Sequence, residues 1–184
     1  MRFRLNTAVL VLSLVATVAA ASVDDPPLRV VPEVNYDRYA GTWYEIARLP
    51  NRFEKACARD ITATYTRRED GRIDVENKCV EADGRVKVAR GVARPVEGQP
   101  SSVLQVRFAP AFLSFIGSVW GDYQIIALGP GYDHAVVGTP DRKFLWVLAR
   151  TPKLDAAVYK AALDQARSQN FDVSKMLLVP QTGS

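Results

Sequence analysis

A regular series of short strand-like runs, separated by turn residues, most constrains what this chain can fold into. Eight runs fit this pattern: residues 41–49, 59–66, 72–80, 85–93, 103–108, 122–128, 134–138 and 144–150. Turn-forming pairs such as Asp70-Gly71 and Asp83-Gly84 lie between them, and such pairs favour chain reversal. Short strands joined in order by tight turns predict an antiparallel up-and-down β-barrel over about residues 36–152.

Beyond the eighth run, the spacing of apolar residues becomes that of a helix. Its apolar positions are Leu154, Val158, Ala161, Ala162 and Ala166. Asp155 near the start and Asn170 after the last of these predict a helix over about 154–169. A short outer strand is expected over about 171–179. Residues 22–35 contain three prolines and little periodicity, which indicates an extended N-terminal arm.

The first residues of the chain indicate export. Two arginines precede an almost wholly apolar stretch over 7–21, and three consecutive alanines end it. This pattern is typical of a signal peptide, and the stretch is short for a membrane span. We therefore expect cleavage of residues 1–21 and a mature domain over 22–184, with an uncleaved anchor as the alternative. No cysteine lies near the expected cleavage site, so we predict a periplasmic or secreted protein, with outer-membrane association left open.

The charge balance gives no sign of a nucleic-acid partner. The net charge of +4 falls to +2 when the predicted signal peptide leaves with Arg2 and Arg4. Acidic and basic residues are interspersed, and no basic block contains aromatic residues. Binding of nucleic acid is therefore not expected.

The first run carries the most specific motif, GTWYEIARLP over residues 41–50. Gly41 allows close backbone approach at the start of the strand, and the large side chain of Trp43 needs a closed end to pack against. This motif resembles the first signature of the lipocalin family, in its bacterial and apolipoprotein D-like branch. Further segments match in the same order: TATY at 62–65, DYQIIAL at 122–128, PDRKFLWVLARTP at 140–152 and NFD at 170–172.

The resemblance covers about residues 34–181 and implies an all-β fold. That fold is an eight-stranded antiparallel up-and-down lipocalin β-barrel with one C-terminal α-helix packed outside. It also implies that Gly41, Trp43 and Arg150 have a structural role at the closed end. There the arginine would lie over the indole face, a contact worth about 1–2 kcal/mol when desolvated.

The resemblance also implies which residues face the barrel interior. If Trp43 points inward, strand alternation directs Glu45, Ala47 and Leu49 inward as well. Matching the later strands to the family adds Ile61, Ala63, Tyr65, Val75, Asn77, Leu104, Val106, Phe108, Trp146 and Leu148. The predicted ligand-binding set is Glu45, Ala47, Ile61, Ala63, Tyr65, Val75, Asn77, Phe108, Trp146 and Leu148. Small Ala47 and Ala63 favour a cavity, although an eight-stranded barrel is either filled by side chains or holds one small ligand.

Glu45 is the unusual member of this predicted interior. A buried carboxylate is unfavourable by several kcal/mol unless it is paired or protonated. The sequence leaves two interpretations: a bond to a neighbouring tyrosine or arginine, or a polar contact inside the cavity.

The loop PAFLSFIGSVW at 110–120 is too apolar for an ordinary exposed loop. The barrel order places it at the open end, where it would form a lid, dock on a membrane or partner, or pack against the rim. Cations in the first loop would meet a phosphate or carboxylate head group. The predicted entrance residues are Arg52, Phe53, Phe112, Phe115 and Trp120.

The two cysteines, Cys57 and Cys79, predict a disulfide in an exported protein. A two-residue turn at Asp70-Gly71 would place Cys79 opposite Thr62, and five residues at about 3.3 Å each are too far to bridge. A disulfide therefore requires a bulge or a fold-back of Cys57; two free thiols are the alternative.

These features favour a binding protein over an enzyme. His134 is the single histidine, so no catalytic or metal-binding set is expected, and no cofactor is predicted. The resemblance implies a fatty acid or lysophospholipid as the small hydrophobic ligand, and a role in bacterial cell-envelope maintenance. The alternatives are a membrane- or partner-docking protein that uses the apolar loop, and a lipid-acting enzyme that uses His134. A monomer and a homodimer are both compatible with the sequence.

Overall fold

The computed structural model describes residues 25–109 and 119–183, and eight of its strands close into one barrel. These are β1 (Gly41–Arg48), β2 (Cys57–Arg67), β3 (Ile73–Glu81), β4 (Val86–Pro95), β5 (Val103–Arg107), β6 (Gly121–Leu128), β7 (His134–Gly138) and β8 (Leu145–Ala149). Each strand pairs antiparallel with the next, and β1 pairs with β8 to close the cylinder. The predicted barrel is confirmed. The predicted signal peptide, residues 1–21, lies outside the described residues.

A helix packs against the outside of the barrel, as predicted. A short helix α1 (Tyr36–Tyr39) precedes the barrel, and the outer helix is α2 (Ala156–Arg167). Asp155 caps α2 because its carboxylate accepts hydrogen bonds from two amides of the first turn. The buried face of α2 carries Ala162 and Ala166, and such small side chains allow the helix to approach the sheet closely.

The segment after α2 is less regular than the single strand predicted over 171–179. Asp172 accepts a hydrogen bond from the amide of Ser174 and begins a 3-10 turn over Val173–Lys175. The segment then forms β9 (Leu177–Leu178), which lies beside β1. The capping aspartate therefore shortens the strand.

A β-bulge in β1 reverses the side-chain alternation that the sequence predicts. Glu45 faces Leu148 of β8 and Ala47 faces Val147, so Ile46 is an extra residue in β1. Ala47 and Leu49 consequently pack in the core between barrel and helix, together with Ala162 and Ala166. The prediction that Ala47 and Leu49 point into the barrel is wrong, because a bulge exchanges the two faces of a strand.

The closed end of the barrel is built around Trp43, which is fully buried. Its indole Nε1 donates a hydrogen bond to the carbonyl of Tyr39 in α1 at 2.8 Å. The guanidinium carbon of Arg150 lies 3.9 Å from the centre of the Trp43 ring. The guanidinium also donates to three backbone carbonyls, those of Arg38, Thr42 and Tyr132. Gly41 has φ of +92°, and a Cβ there would lie 3.3 Å from the Arg150 Nη1, so glycine fits this position best.

The predicted disulfide between Cys57 and Cys79 is present, with the two Cα atoms 5.5 Å apart. The β2–β3 ladder is irregular between Cys57 and Arg59 and again between Arg59 and Thr62. Asp60, between these irregularities, has φ of +53°. These irregularities supply the bulge that the register argument required.

The C-terminal segment completes the barrel wall near the open end. β1 and β2 pair directly only over Gly41–Tyr44, and β9 then takes the place of β2 beside β1. The side-chain amide of Gln181 donates to the carbonyl of Glu45 in β1 at 2.9 Å and to that of Ile61 in β2 at 3.1 Å. The segment thus joins the two strands where they diverge.

Candidate functional site

The barrel interior encloses a cavity of about 100 Å³ with mostly apolar walls. Of the residues predicted to face inward, those that line it are Glu45, Ile61, Ala63, Tyr65, Val75, Asn77, Leu104, Val106, Phe108, Trp146 and Leu148. Ala47 does not line the cavity, because the bulge in β1 turns its side chain to the outer face of the barrel. The cavity is a candidate ligand site, enclosed by β-strands whose positions the closed ladder fixes.

Several lining residues lie outside the predicted set. They are Tyr36, Tyr39, Glu54, Thr62, Ile73, Ala93, Tyr123, Ile125 and Val137. Tyr123 and Ile125 alternate on β6, so a strict period of two in that run would have identified them. Tyr39 and Glu54 lie in α1 and in the first loop, where no strand periodicity applies.

Glu45 belongs to a buried polar cluster on the cavity wall. Arg48 Nη1 lies 3.0 Å from Glu45 Oε1, and Arg48 Nε lies 3.4 Å from Glu54 Oε2. Trp146 Nε1 and Asn51 Nδ2 also donate to Glu54, at 3.3 Å and 2.5 Å. The bulge in β1 is the cause of this arrangement, because it turns Arg48 to the same side as Glu45. Of the two interpretations of Glu45, pairing with an arginine is therefore the observed one, and the carboxyl also lines the cavity.

Burial raises the pKa of Glu45 well above its ordinary value of 4.5, and the neighbouring carboxylate of Glu54 raises it further. The charge of Arg48 opposes both effects without cancelling them. Two carboxyl groups share one arginine in a poorly solvated wall, so the protonated form of Glu45 is favoured.

We expect the stability of the protein to depend on the protonation of Glu45. Because folding raises its pKa, the stabilisation is complete below about pH 4.5 and is lost as pH rises through the higher folded value. Each unit of raised pKa corresponds to about 1.4 kcal/mol. In Glu45→Gln the neutral amide does not titrate. The difference in free energy of unfolding between the wild type and this variant should therefore shrink between pH 4 and pH 9. Urea denaturation at several pH values measures this difference.

Glu76→Gln provides the control of opposite sign. The hydrogen bond from Lys78 lowers the pKa of the partly buried Glu76, so its contribution to stability is present above its ordinary pKa and lost as pH falls. A constant difference in stability between wild type and Glu45→Gln across this pH range would contradict a raised pKa at Glu45.

Three tyrosine hydroxyls form a second polar group, deeper in the cavity. Tyr123 Oη lies 2.8 Å from Tyr39 Oη and 3.0 Å from Tyr65 Oη. Burial raises the pKa of all three, that of Tyr65 to about 12. The three hydroxyls therefore remain neutral near pH 7. The cavity thus has an apolar wall with one ionic cluster and one neutral hydroxyl cluster.

The open end carries a row of aromatic side chains. Phe53 is 55% exposed, and its ring centre lies 5.5 Å from that of Phe144. Phe144 stacks on Trp146, which lines the cavity. The guanidinium of Arg52 lies over the Phe53 ring at 5.0 Å, and Lys87 Nζ donates to the Phe53 carbonyl at 3.3 Å. Two further predicted entrance residues, Phe112 and Phe115, lie outside the described residues.

Trp120 lies apart from the predicted entrance. Its ring contacts two guanidinium groups, that of Arg94 at 4.0 Å and that of Arg107 at 5.1 Å. Because Ala93 and Val106 line the cavity, their neighbours Arg94 and Arg107 face outward by strand alternation. Trp120 therefore packs on the outer face of β4 and β5, and its prediction as an entrance residue is wrong.

His134 begins β7, with its Nδ1 3.2 Å from Asp133 Oδ1, and it does not line the cavity. Over 25–109 and 119–183, no group of three or more metal-ligating side chains comes together. No helix in that part of the chain has both the length and the apolar character needed to cross a bilayer.

Comparison with known proteins agrees with this architecture. Residues 34–181 match the lipocalin-like domain family. The chain is 41% identical to outer membrane lipoprotein Blc of Escherichia coli, over 91% of this chain and 92% of that protein. It is 32% identical to apolipoprotein D of Macaca fascicularis, over 80% of this chain and 78% of that protein. Insecticyanin of the tobacco hornworm Manduca sexta has a similar fold, with a TM-score of 0.66 at 19% identity over 86% of each chain.

The closed barrel with one outer helix, and the match over most of the chain, define its class. The protein belongs to the lipocalin family, and its relatives include the bacterial and apolipoprotein D proteins that the first motif resembles.

Proposed function

We propose that this protein is an exported carrier or store of a small hydrophobic ligand, a fatty acid or a lysophospholipid, that serves in maintenance of the bacterial cell envelope. The observation that carries the proposal is the apolar cavity inside the barrel. Ligand pockets are mostly apolar, with a few placed polar groups that orient the ligand. The Glu45 cluster and the tyrosine hydroxyls have that character.

The size of the cavity bears on how an acyl chain would enter. Its volume of about 100 Å³ is below the roughly 300–1,000 Å³ common for small-molecule pockets. The end of a chain fits this space, and a longer chain requires side chains at the open end to move. Phe108 is suited to such movement because it lines the cavity and is 44% exposed.

We propose that the protein is periplasmic or secreted, with association with the outer membrane as the alternative. The predicted signal peptide supports export, and the two cysteines are joined to each other within the barrel. The name of the Escherichia coli relative describes a lipoprotein of the outer membrane, and this name supports the alternative. Mass measurement of the mature, exported chain tests this point directly.

Uptake of a fluorescent fatty acid by the purified protein tests the binding function. Ala63 lines the cavity, so Ala63→Phe would fill part of it, and we expect uptake to fall by about tenfold or more. Thr66→Phe is the matched control, because Thr66 is exposed on the same strand and faces the other side of the sheet. Titration followed by fluorescence measures both variants.

Three results together would support a ligand site in the cavity: binding by the wild type, loss in Ala63→Phe and retention in Thr66→Phe. A wild-type protein that is purified gently, carries no lipid by native mass spectrometry and takes up no fluorescent fatty acid would contradict the proposal.

A further inference from the structure

The tyrosine cluster contains one more hydrogen than its internal contacts use. The hydroxyls of Tyr39, Tyr123 and Tyr65 form two oxygen–oxygen contacts, with Tyr123 in the middle. Each contact uses one hydrogen, and three hydroxyls supply three. One hydroxyl hydrogen is therefore left to donate elsewhere, whichever tyrosine carries it.

The described residues supply no third partner for this hydrogen. The hydrogen bonds of these three hydroxyls are the two contacts within the cluster. Tyr36, a fourth tyrosine of the wall, differs because its hydroxyl donates to the carbonyl of Ser101 at 2.6 Å. The free hydrogen of the cluster thus belongs to residues that line the cavity, where an incoming ligand would meet it.

A second polar atom without a partner lies nearer the open end. Asn77 lines the cavity, and its buried Oδ1 accepts no hydrogen bond within the described part of the chain. Across the β2–β3 ladder, Tyr65 faces Val75 and Ala63 faces Asn77. Asn77 is therefore one inward-facing step, about 7 Å, closer to the mouth than the level of Tyr65. The cavity wall therefore has a hydrogen-bond donor at its closed end, in the tyrosine cluster, and an acceptor, Asn77 Oδ1, closer to the open end.

The charge of the lining limits what kind of group fits at depth. The charged side chains that line the cavity are the carboxyls of Glu45 and Glu54, and the described lining contains no lysine, arginine or histidine. A carboxylate brought down to the tyrosines would be desolvated without a cation in the lining to pair with it. The guanidinium of Arg150 lies behind this end, over Trp43, and already donates to three backbone carbonyls. A neutral oxygen meets the donor without this penalty. A carbonyl oxygen accepts the spare hydrogen, and a hydroxyl balances the count when it also donates its own hydrogen to an outer hydroxyl of the cluster, that of Tyr39 or Tyr65.

We propose that the cavity selects an oxygenated acyl chain, one that carries a neutral hydroxyl or carbonyl oxygen at the end inserted deepest, against Tyr39, Tyr65 and Tyr123. The inference rests on the proposed lipid-binding function and adds to it the chemical class of the ligand. A plain hydrocarbon end would leave the free hydroxyl hydrogen without an acceptor, and unpaired buried donors are unfavourable. The carboxylate head of such a ligand stays at the open end.

Competition between fatty acids of equal length tests the proposal. Dodecanoic, 12-hydroxydodecanoic and 2-hydroxydodecanoic acids each displace a bound fluorescent fatty acid from the wild-type protein. We expect the 12-hydroxy acid to bind about three- to tenfold more tightly than dodecanoic acid, the range of one net hydrogen bond. The 2-hydroxy acid has the same polarity, but its hydroxyl is beside the head group. Its affinity should therefore equal that of dodecanoic acid.

A triple variant, Tyr39→Phe with Tyr65→Phe and Tyr123→Phe, tests the donor itself. All three rings remain and all three hydroxyls leave together, so no hydroxyl is left unpaired and the variant should fold. Its preference for the 12-hydroxy acid should disappear or reverse. Tyr44→Phe is the control, since it removes one tyrosine hydroxyl from β1 at a position that does not line the cavity, and it should keep the wild-type preference.

The outcomes separate this inference from the function on which it rests. If none of the acids displaces the probe and the probe itself does not bind, the lipid-binding proposal fails and this inference fails with it. If the acids bind but the 12-hydroxy acid has no advantage over the other two, only the inference is overturned. An advantage that persists in the triple variant overturns it as well. The three acids on wild-type protein decide the matter even if the triple variant does not fold.

Discussion

Replacement of Trp43 by alanine is expected to lower the free energy of unfolding by about 3–5 kcal/mol, the usual range for a buried tryptophan. The side chain is fully buried at the closed end, between Tyr39 and the guanidinium of Arg150. Its loss removes the packing, the cation–π contact and the hydrogen bond to the Tyr39 carbonyl at once. For a chain of this size the melting temperature should fall by about 10 °C.

Trp43→Phe is the control that separates ring packing from the hydrogen bond. It keeps an aromatic face beneath Arg150 but has no indole N–H for the Tyr39 carbonyl, so we expect less than half the loss seen with alanine. Urea denaturation of both variants gives the two free energies. A loss below about 1 kcal/mol for Trp43→Ala would mean that the closed end does not depend on this side chain.

Removal of the disulfide, as Cys57→Ala with Cys79→Ala, is expected to lower stability by about 3 kcal/mol. The bond closes a loop with a sequence separation of 22, and a closed loop of this length restricts the unfolded chain by about that amount. The double variant avoids a buried free thiol, since Cys79 is only 4% exposed. Guanidinium denaturation compares it with the wild type.

The wild type under reducing conditions provides the control for this prediction. Reduction should shift its denaturation midpoint toward that of the double variant, because both lack the covalent loop. If reduced wild type and double variant both unfold at the midpoint of the oxidised protein, the disulfide contributes nothing to stability. We also expect the loss of side-chain packing in the double variant to be largest at Ile61 and Val179, which pack against the two cysteines.

The fold was predictable because its evidence is local and repeated. Most strand runs end in a turn signal such as Asp70-Gly71, whose aspartate accepts from the amide of Arg72 while Gly71 adopts φ of +79°. The motif around Trp43 and the matching position of Arg150 then fixed the closed end. Each of these features can be identified without knowing which residues far apart in the chain are in contact.

The site was predictable only where strand alternation holds. It fails at Ala47 because Ile46 is bulged, and the sequence carries no glycine or other mark of that bulge. The same bulge turns Arg48 toward Glu45, so alternation could not identify which arginine pairs with the buried carboxyl. Glu54 reaches the cavity from a loop, and its side-chain position depends on Trp146 and Asn51, which are 92 and 3 residues away in the chain.

The position of the C-terminal segment has a consequence for biosynthesis. β9 and Gln181 complete the wall between β1 and β2, although they lie at the far end of the chain from those strands. Protein chains are made from the N-terminus, so β1 and β2 are synthesised well before the segment that completes the seam between them. Until that segment has been made, β1 and β2 can pair directly only over Gly41–Tyr44, and the wall between their remaining residues has a gap.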